Sequence, residues 1–283
     1  MQKVDLDGKT ALVTGSTDGV GRLVAMELGA AGAHVIVHGR NAARGKDVVT
    51  QIKRRHGSAV FEAADFSSLD DVRRFANAVR KHTDRLHVLI NNAGIGTAHG
   101  GAARHLTADG FELHFAVNYL SGFLLTRLLR STLIESAPAR IIFVSSLGQA
   151  PIDFDDVMLA RNYSGTRAYC QSKLAQVMNA LDLARELESK GVTVNSLHPA
   201  TYMNTTMVRE AGVTPMSTVE QGTEAILRLA MSPELEGKTG LYFDGMRPAR
   251  AHGQAYRTDE RARLRELSER LAGMAVKAHG RGR

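Results

Sequence analysis

From residue 14 the chain reads Thr14-Gly15-Ser16-Thr17-Asp18-Gly19-Val20-Gly21, directly after the apolar run Thr10 to Thr14 and directly before an amphipathic stretch, Val20 to Ala31. The glycines permit a tight strand-to-helix turn, close backbone approach to a pyrophosphate and close seating of the helix on the strand. The helix start also offers free amides at the positive end of its dipole. A strand before and a helix behind are the context in which such a turn binds a dinucleotide. Gly15, Ser16, Asp18, Gly19, Val20 and Gly21 are therefore candidate cofactor contacts.

The pattern repeats along the first half of the chain. His34 to His38, Ala59 to Ala63 and His87 to Asn91 read as strands, separated by helical stretches at Ala42 to His56 and Asp70 to His82. Thr107 offers a hydroxyl cap for a long helix from Gly110 to about Leu133. Arg140 to Ser145 reads as a fifth strand, Tyr169 to Ser189 as a helix ended by Gly191, and Thr193 to Leu197 as a sixth strand. Alternation of this kind builds βαβ units, and strands so continuous in Val, Ile and Leu are buried on both faces. The fold class expected is α/β: a doubly wound parallel sheet of Rossmann type, three layers in a single domain over residues 1–246. Within it, Pro199 to Ser217 is polar and without periodicity, a candidate substrate loop. Residues 247–283 read as a basic, partly helical C-terminal extension, the helix at Thr258 to Leu271.

Net charge is +7, and ten Lys or Arg against four Asp or Glu fall from Arg247 onward, so the excess sits in that extension. Mixed signs and a lone aromatic, Tyr256, mark it as a solvated face rather than a nucleic-acid surface, and no nucleic-acid partner is expected. A single cysteine, Cys170, excludes an internal disulfide and fits a reducing cytoplasm. No apolar run reaches the roughly 18 residues of a membrane span, so no membrane partner is expected. Eleven histidines lack any ligand spacing, and no metal is expected.

Four residues apart on one helix, Tyr169 and Lys173 share a face. An ammonium beside a phenol lowers its pKa from about 10, which would make Tyr169 a general acid near neutral pH. Together with the glycine turn, Asn91-Asn92-Ala93-Gly94 at a strand end, Asn118, and Ser145-Ser146 at another strand end, this order of motifs resembles the short-chain dehydrogenase/reductases. The likeness spans about residues 5–245, and YCQSKLA with the long Ser146 to Tyr169 interval resembles the retinol-dehydrogenase-like branch.

The resemblance implies hydride transfer between NADP(H) and a small-molecule carbonyl or alcohol. It implies that Ser146 orients the substrate oxygen, Tyr169 gives the proton, Lys173 also holds the nicotinamide ribose and Asn118 positions a water of the proton relay. Asn91, Ala93 and Gly94 would line the cofactor cleft, Asp65 with Phe66 would lie at the adenine, and Pro199 and Thr205 at the nicotinamide. Homo-dimers or tetramers pairing through Gly110 to Leu133 and Tyr169 to Ser189 are implied as well. A dinucleotide-sensing regulator and an epimerase or dehydratase of the extended branch are the alternative readings.

Two departures bear on this. After strand six the family has Pro-Gly, where this chain has Pro199-Ala200, and Asp18 stands where NADPH-dependent members place a basic residue. Against Asp18, the place of the ribose-binding acid of NAD-dependent members is Gly39, followed by Arg40, whose guanidinium suits a 2′-phosphate. NADP(H) over NAD(H) is the expectation. Met203, Met207 and Met216 add adaptable apolar surface to the 199–217 segment and favour a hydrophobic substrate.

Overall fold

A computed structural model describes residues 5–99 and 103–274. One sheet runs through it in the order β3-β2-β1-β4-β5-β6-β7-β8. Its strands are β1 (Thr10–Val13), β2 (His34–Gly39), β3 (Ser58–Ala63), β4 (Val88–Asn91), β5 (Ala139–Val144), β6 (Val192–His198), β7 (Tyr242–Asp244) and β8 (Arg247–Ala249). All neighbours are parallel except the β7–β8 pair. The strand order reverses between β1 and β4, so a crevice opens outside their carboxyl ends, where open α/β sheets bind ligands.

Helices α1 (Gly19–Ala30), α2 (Ala42–Arg54) and α8 (Val219–Met231) cover one face, and α3 (Leu69–His82), α4 (Ser121–Leu128), α5 (Arg130–Glu135) and α6 (Gly165–Leu187) the other. Two apolar cores result, one on each face of the sheet; the inner strands β1, β2, β4, β5 and β6 are largely buried, while the edge strands β3 and β8 are partly exposed because each has a neighbour on one side only. Side-chain caps set several helix starts: Asn41 accepts from Arg44 N–H, Ser68 from Asp71 N–H and Ser164 from Arg167 N–H. The helix of Tyr169 thus begins a turn earlier than its apolar pattern suggests.

The long helix expected from Gly110 to Leu133 is instead three pieces. Gly110 lies in a turn at φ 83°, and Thr107 Oγ accepts Phe111 N–H within that turn. The start is capped by Glu112, whose buried carboxylate accepts the N–H groups of His114 and Phe115. A π-helical turn, Phe115–Leu120, then precedes α4, and Leu129 breaks α4 from α5. A charged residue does the capping because it satisfies two first-turn amides where one hydroxyl would satisfy one.

The boundary expected at residue 246 falls between β7 and β8, which pair across it. Helix α9 (Thr258–Leu271) buries Leu264 and Ser268, and Ser268 Oγ meets the buried Tyr119 hydroxyl at 2.7 Å while Arg265 pairs with Asp182 of α6 at 2.6 Å. Every residue of α6 from Gln171 to Leu181 is buried, so sheet, π-turn and α9 leave it no open face there. Truncating Leu264 to Ala would cost about 2–5 kcal/mol as a core deletion.

Candidate active site

The glycine turn is built by exclusion. Gly15 has φ 64°, and a Cβ on it would fall 2.8 Å from the Ala93 Cα; a Cβ on Gly21 would fall 2.4 Å from the Gly15 carbonyl oxygen. Asn92 Nδ2 donates to the carbonyls of Thr14 (2.8 Å) and Gly15 (3.1 Å), and Thr14 Oγ1 accepts the N–H groups of Asn92 and Ala93. These bonds lock the end of β4 to the turn. The first-turn amides of Val20 and Gly21 have no acceptor within α1, which leaves them for an anion.

Three expected contacts point elsewhere. Ser16 is fully buried, its Oγ bonded to Val13 O (2.7 Å) and its N–H to His38 O (2.8 Å), so it braces the turn from beneath. Asn91 is buried and donates to Thr126 Oγ1 in the core. The Phe66 ring stacks on His38 at 4.1 Å and lies edge-on to Phe75. Each motif position is near the cleft in sequence, but strand pleat and packing turn its side chain inward. Asp65 accepts Ser67 N–H (2.9 Å), as a turn former does.

His38 is the residue that sequence reasoning missed here. It is buried, its Nδ1 accepts Gly15 N–H at 3.0 Å, and its Nε2 faces Ala64 O at 3.3 Å. An amide donor on one side and a carbonyl on the other place the single proton on Nε2. Burial drives its pKa down to about 4, so the ring is neutral and joins the glycine turn to the stretch Ala64-Asp65-Phe66. Its only signal in the sequence was a polar residue at the end of an apolar strand.

At the ribose end of β2, a Cβ on Gly39 would lie 2.5 Å from Thr17 Cγ2, so Thr17 excludes an acid at that position. Arg40 is exposed, and no ion pair holds it among the described residues. Asp18 is engaged elsewhere: it caps α1, pairs with Arg44 at 3.2 Å and accepts from Thr206 Oγ1 at 3.0 Å. Arg44 therefore balances the charge that opposed a phosphate.

Ser146, Tyr169, Lys173 and Asn118 converge from β5, α6 and the π-turn. The Tyr169 hydroxyl lies close enough to Ser146 for the serine to favour its ionisation, and Ser146 Oγ accepts Gly148 N–H at 3.1 Å. Ser145, by contrast, donates to Lys173 O at 2.7 Å and is buried structure. The Ser146 carbonyl accepts from Tyr242 of β7 (2.9 Å) and Gln149 Nε2 (2.8 Å), which fixes the end of β5. Asn118 Oδ1 accepts Ile95 N–H at 2.7 Å, and its Nδ2 donates to Ser172 Oγ at 3.0 Å. Gly94 lies between: a Cβ there would sit 3.2 Å from Asn118 Oδ1 and 3.5 Å from Lys173 Nζ.

The electrostatics correct one expectation. Burial raises the Tyr169 hydroxyl above its ordinary pKa, and the neighbouring Ser146 only opposes this in part. Burial also lowers Lys173 to about 8. The Lys173 Nζ stands 5.6 Å from the Tyr169 ring centroid, and burial rather than this ammonium sets the direction of the shift. Tyr169 is accordingly a neutral phenol with a proton to give.

Thr205 caps the short helix α7 (Thr206–Glu210), and its methyl lies 3.3 Å from where a Gly19 Cβ would be, so the 199–217 segment touches the turn. Pro199 is buried at the end of β6. Tyr202, unsignalled in the sequence, has a left-handed φ of 43°, is 50% exposed and lies near enough to Tyr169 to act on its ionisation. Met203 packs against Gly222 of α8, Met207 lies over Gly96, and Met216 is 72% exposed. Among the described residues no cluster of His, Cys, Asp or Glu could hold a metal, and no helix is long and apolar enough to cross a membrane.

Comparison with known proteins agrees with this geometry. Residues 9–215 match the family model described as short chain dehydrogenase. The chain is 37% identical to human (Homo sapiens) retinol dehydrogenase 13, over 96% of this chain and 87% of that protein, and 35% identical to human retinol dehydrogenase 14, over 95% and 88%. A crystal structure of an uncharacterised protein from Mycobacterium paratuberculosis superposes with a TM-score of 0.79 at 28% identity, covering 97% of each chain. The Pseudomonas aeruginosa RhlG/NADP active-site complex superposes with a TM-score of 0.70 at 28% identity, covering 85% of this chain and 95% of that one.

Proposed function

The chain belongs to the short chain dehydrogenases, and from that premise we propose that Ser146, Tyr169, Lys173 and Asn118 transfer hydride between NADP(H) and an apolar carbonyl or alcohol. It is an oxidoreductase acting on CH–OH groups. A nicotinamide dinucleotide, when bound, supplies or takes up the hydride. The residues fit that group: Val20 and Gly21 offer amides to its pyrophosphate, Gly94 leaves room beside Lys173 for its ribose, and Arg40 stands free for a 2′-phosphate. Asp65 would reach the adenine end from its turn, with Phe66 supporting it only through His38.

In reduction, the substrate oxygen lies between the hydroxyls of Ser146 and Tyr169. Gly148 N–H occupies a lone pair of Ser146, which turns the serine proton outward to polarise the carbonyl. Tyr169, kept protonated by burial, gives its proton as the alkoxide forms. Lys173 stabilises the phenolate left behind and holds the ribose hydroxyls, and Asn118, with its side chain committed to Ile95 and Ser172, anchors the relay from the π-turn. Alcohol oxidation is the same path reversed.

The observation that carries this reading is the pairing of those four groups around two glycines: Asn118 and Lys173 beside Gly94, Ser146 and Tyr169 beside Gly148. It disfavours a regulator without turnover, while the epimerase reading is disfavoured by the glycine spacing of the turn, Gly15, Gly19 and Gly21 in place of TGxxGxxG. An apolar substrate is supported by exposed Leu147, Tyr202, Met207 and Met216, and by relatives named for retinol, an apolar alcohol. A reducing, cytoplasmic setting is proposed on the one free cysteine, Cys170. Pairing of copies through α6 is tested by sedimentation; a 30.6 kDa species would mean that α9 has taken the second copy's place.

The main test is kcat/KM with NADPH and with NADH over a panel of apolar aldehydes, ketones and alcohols. NADPH is expected to win, and Arg40→Ala is expected to lower its kcat/KM about tenfold while leaving NADH little changed. A preference for NADH in the unaltered protein overturns the cofactor choice, and absence of turnover across the panel overturns the substrate class.

A further inference from the structure

The ammonium of Lys173 is held by more than the resemblance accounts for. Its Nζ donates to Val144 O at the end of β5 (3.0 Å) and to Gln176 Oε1 one turn further along α6 (3.1 Å). Gln176 is 2% exposed and stands in the buried run Leu174, Ala175, Val177 and Met178, where packing alone would call for an apolar side chain. A primary amide in such a place is costly unless it is hydrogen-bonded, and here its oxygen faces a buried cation. An ammonium has three N–H groups; two are taken and one remains, and a Cβ on Gly94 would stand 3.5 Å from the nitrogen.

We propose that Gln176 is a positioning residue: its Oε1 is the second fixed acceptor that holds Lys173 protonated and oriented, with one N–H left for the cleft. The proposal rests on the reading of Lys173 as the group serving Tyr169 and the ribose. Without Gln176 the ammonium would keep one protein acceptor, lose orientation and deprotonate more readily. Two other titratable groups face Lys173, Tyr169 on its own helix and His198 at the end of β6. Burial lowers His198, so it is already neutral where Lys173 titrates and does not shape that limb.

The test compares Gln176→Leu, Gln176→Glu and Lys173→Ala in the full chain, with kcat followed from pH 6 to 10 and NADPH affinity by fluorescence titration. Gln176→Leu is expected to lower kcat about tenfold, weaken NADPH several-fold and move the alkaline loss of activity to lower pH. Gln176→Glu, which keeps an acceptor and adds charge, is expected to move that limb to higher pH. A Gln176→Leu enzyme with the original pH profile and NADPH affinity overturns the proposal, as do shifts of both variants in the same direction. Should Gln176→Leu fail to fold, the direction of the Gln176→Glu shift decides alone. Full turnover by Lys173→Ala would instead overturn the reading of the site itself.

Discussion

The two walls of the cleft are built on different terms. On one side Thr14, Asn92, His38 and Ser16 tie the glycine turn to β1, β2 and β4 by a closed set of hydrogen bonds, all of them buried or partly buried. On the other, the 199–217 segment shows Tyr202, Met207 and Met216 to solvent. It reaches the first wall through Thr206 on Asp18 and folds on itself through Ser217 Oγ on Thr201 O at 2.5 Å. Tyr202 also carries a left-handed backbone that a bulky residue rarely adopts. A reaction that always uses the same cofactor needs its cofactor wall preorganised, because any reorganisation would be repeated in every turnover. A wall that meets the substrate gains from adaptable apolar side chains and exposed backbone hydrogen bonds, the marks of low local stability.

The contrast predicts where substitutions hurt. Tyr169→Phe removes the proton donor without touching the turn, so kcat should fall by roughly 10²–10⁴ with NADPH affinity nearly unchanged. Stopped-flow and binding titration separate the two, and a kcat loss below about a hundredfold would argue for another acid.

His38 ties pH to the rigid wall. Its folded pKa of about 4 lies below the ordinary 6.5, so between those values the unfolded chain binds more protons than the folded one. Its contribution is complete above about pH 6.5 and is lost as pH falls toward 4, a change of roughly 3 kcal/mol. Urea unfolding at steps between pH 7 and 4 should therefore show a steeper decline than in His38→Gln, which keeps an acceptor for Gly15 N–H. Identical slopes in the two proteins would remove His38 from this role.

Gly21→Ala drives a methyl to 2.4 Å from the Gly15 carbonyl oxygen, against the best-braced part of the molecule. A cost of about 1–3 kcal/mol in stability and a marked loss of NADPH binding are expected, measured by melting and fluorescence. An unchanged Tm would mean that the turn yields, and the walls differ less than they look.

The smallest effect belongs to the open wall. Thr206→Val breaks the hydroxyl bond to exposed Asp18 and should cost less than about 1 kcal/mol, changing KM by only a few-fold. Hydrogen exchange with and without NADPH should show the 199–217 amides gaining protection on binding, while those of residues 14–21 change mainly where they meet the ligand. Equal protection of 199–217 in both states would dismiss its ordering over the site.

The sequence by itself determined the βαβ frame, the glycine turn and the pairing of Tyr169 with Lys173, because strand and helix periods and an i,i+4 spacing are properties of a few neighbouring residues. The order of the motifs was enough to identify the reaction class. What only the tertiary structure decided depends on which groups are buried together. The inward turn of Ser16, Asn91 and Phe66 follows from packing beneath the cleft, and the neutral ring of His38 from partners 23 and 26 residues away. The upward shift of Tyr169 reversed the expected sign because desolvation scales with the atoms around a group, which spacing does not reveal. In the same way Glu112 displaced Thr107 as the cap, and α9 joined the core through Ser268 and Arg265. Mixed charges along α9 signal a solvated helix, and only the fold shows the narrow face that Tyr119 and Asp182 receive.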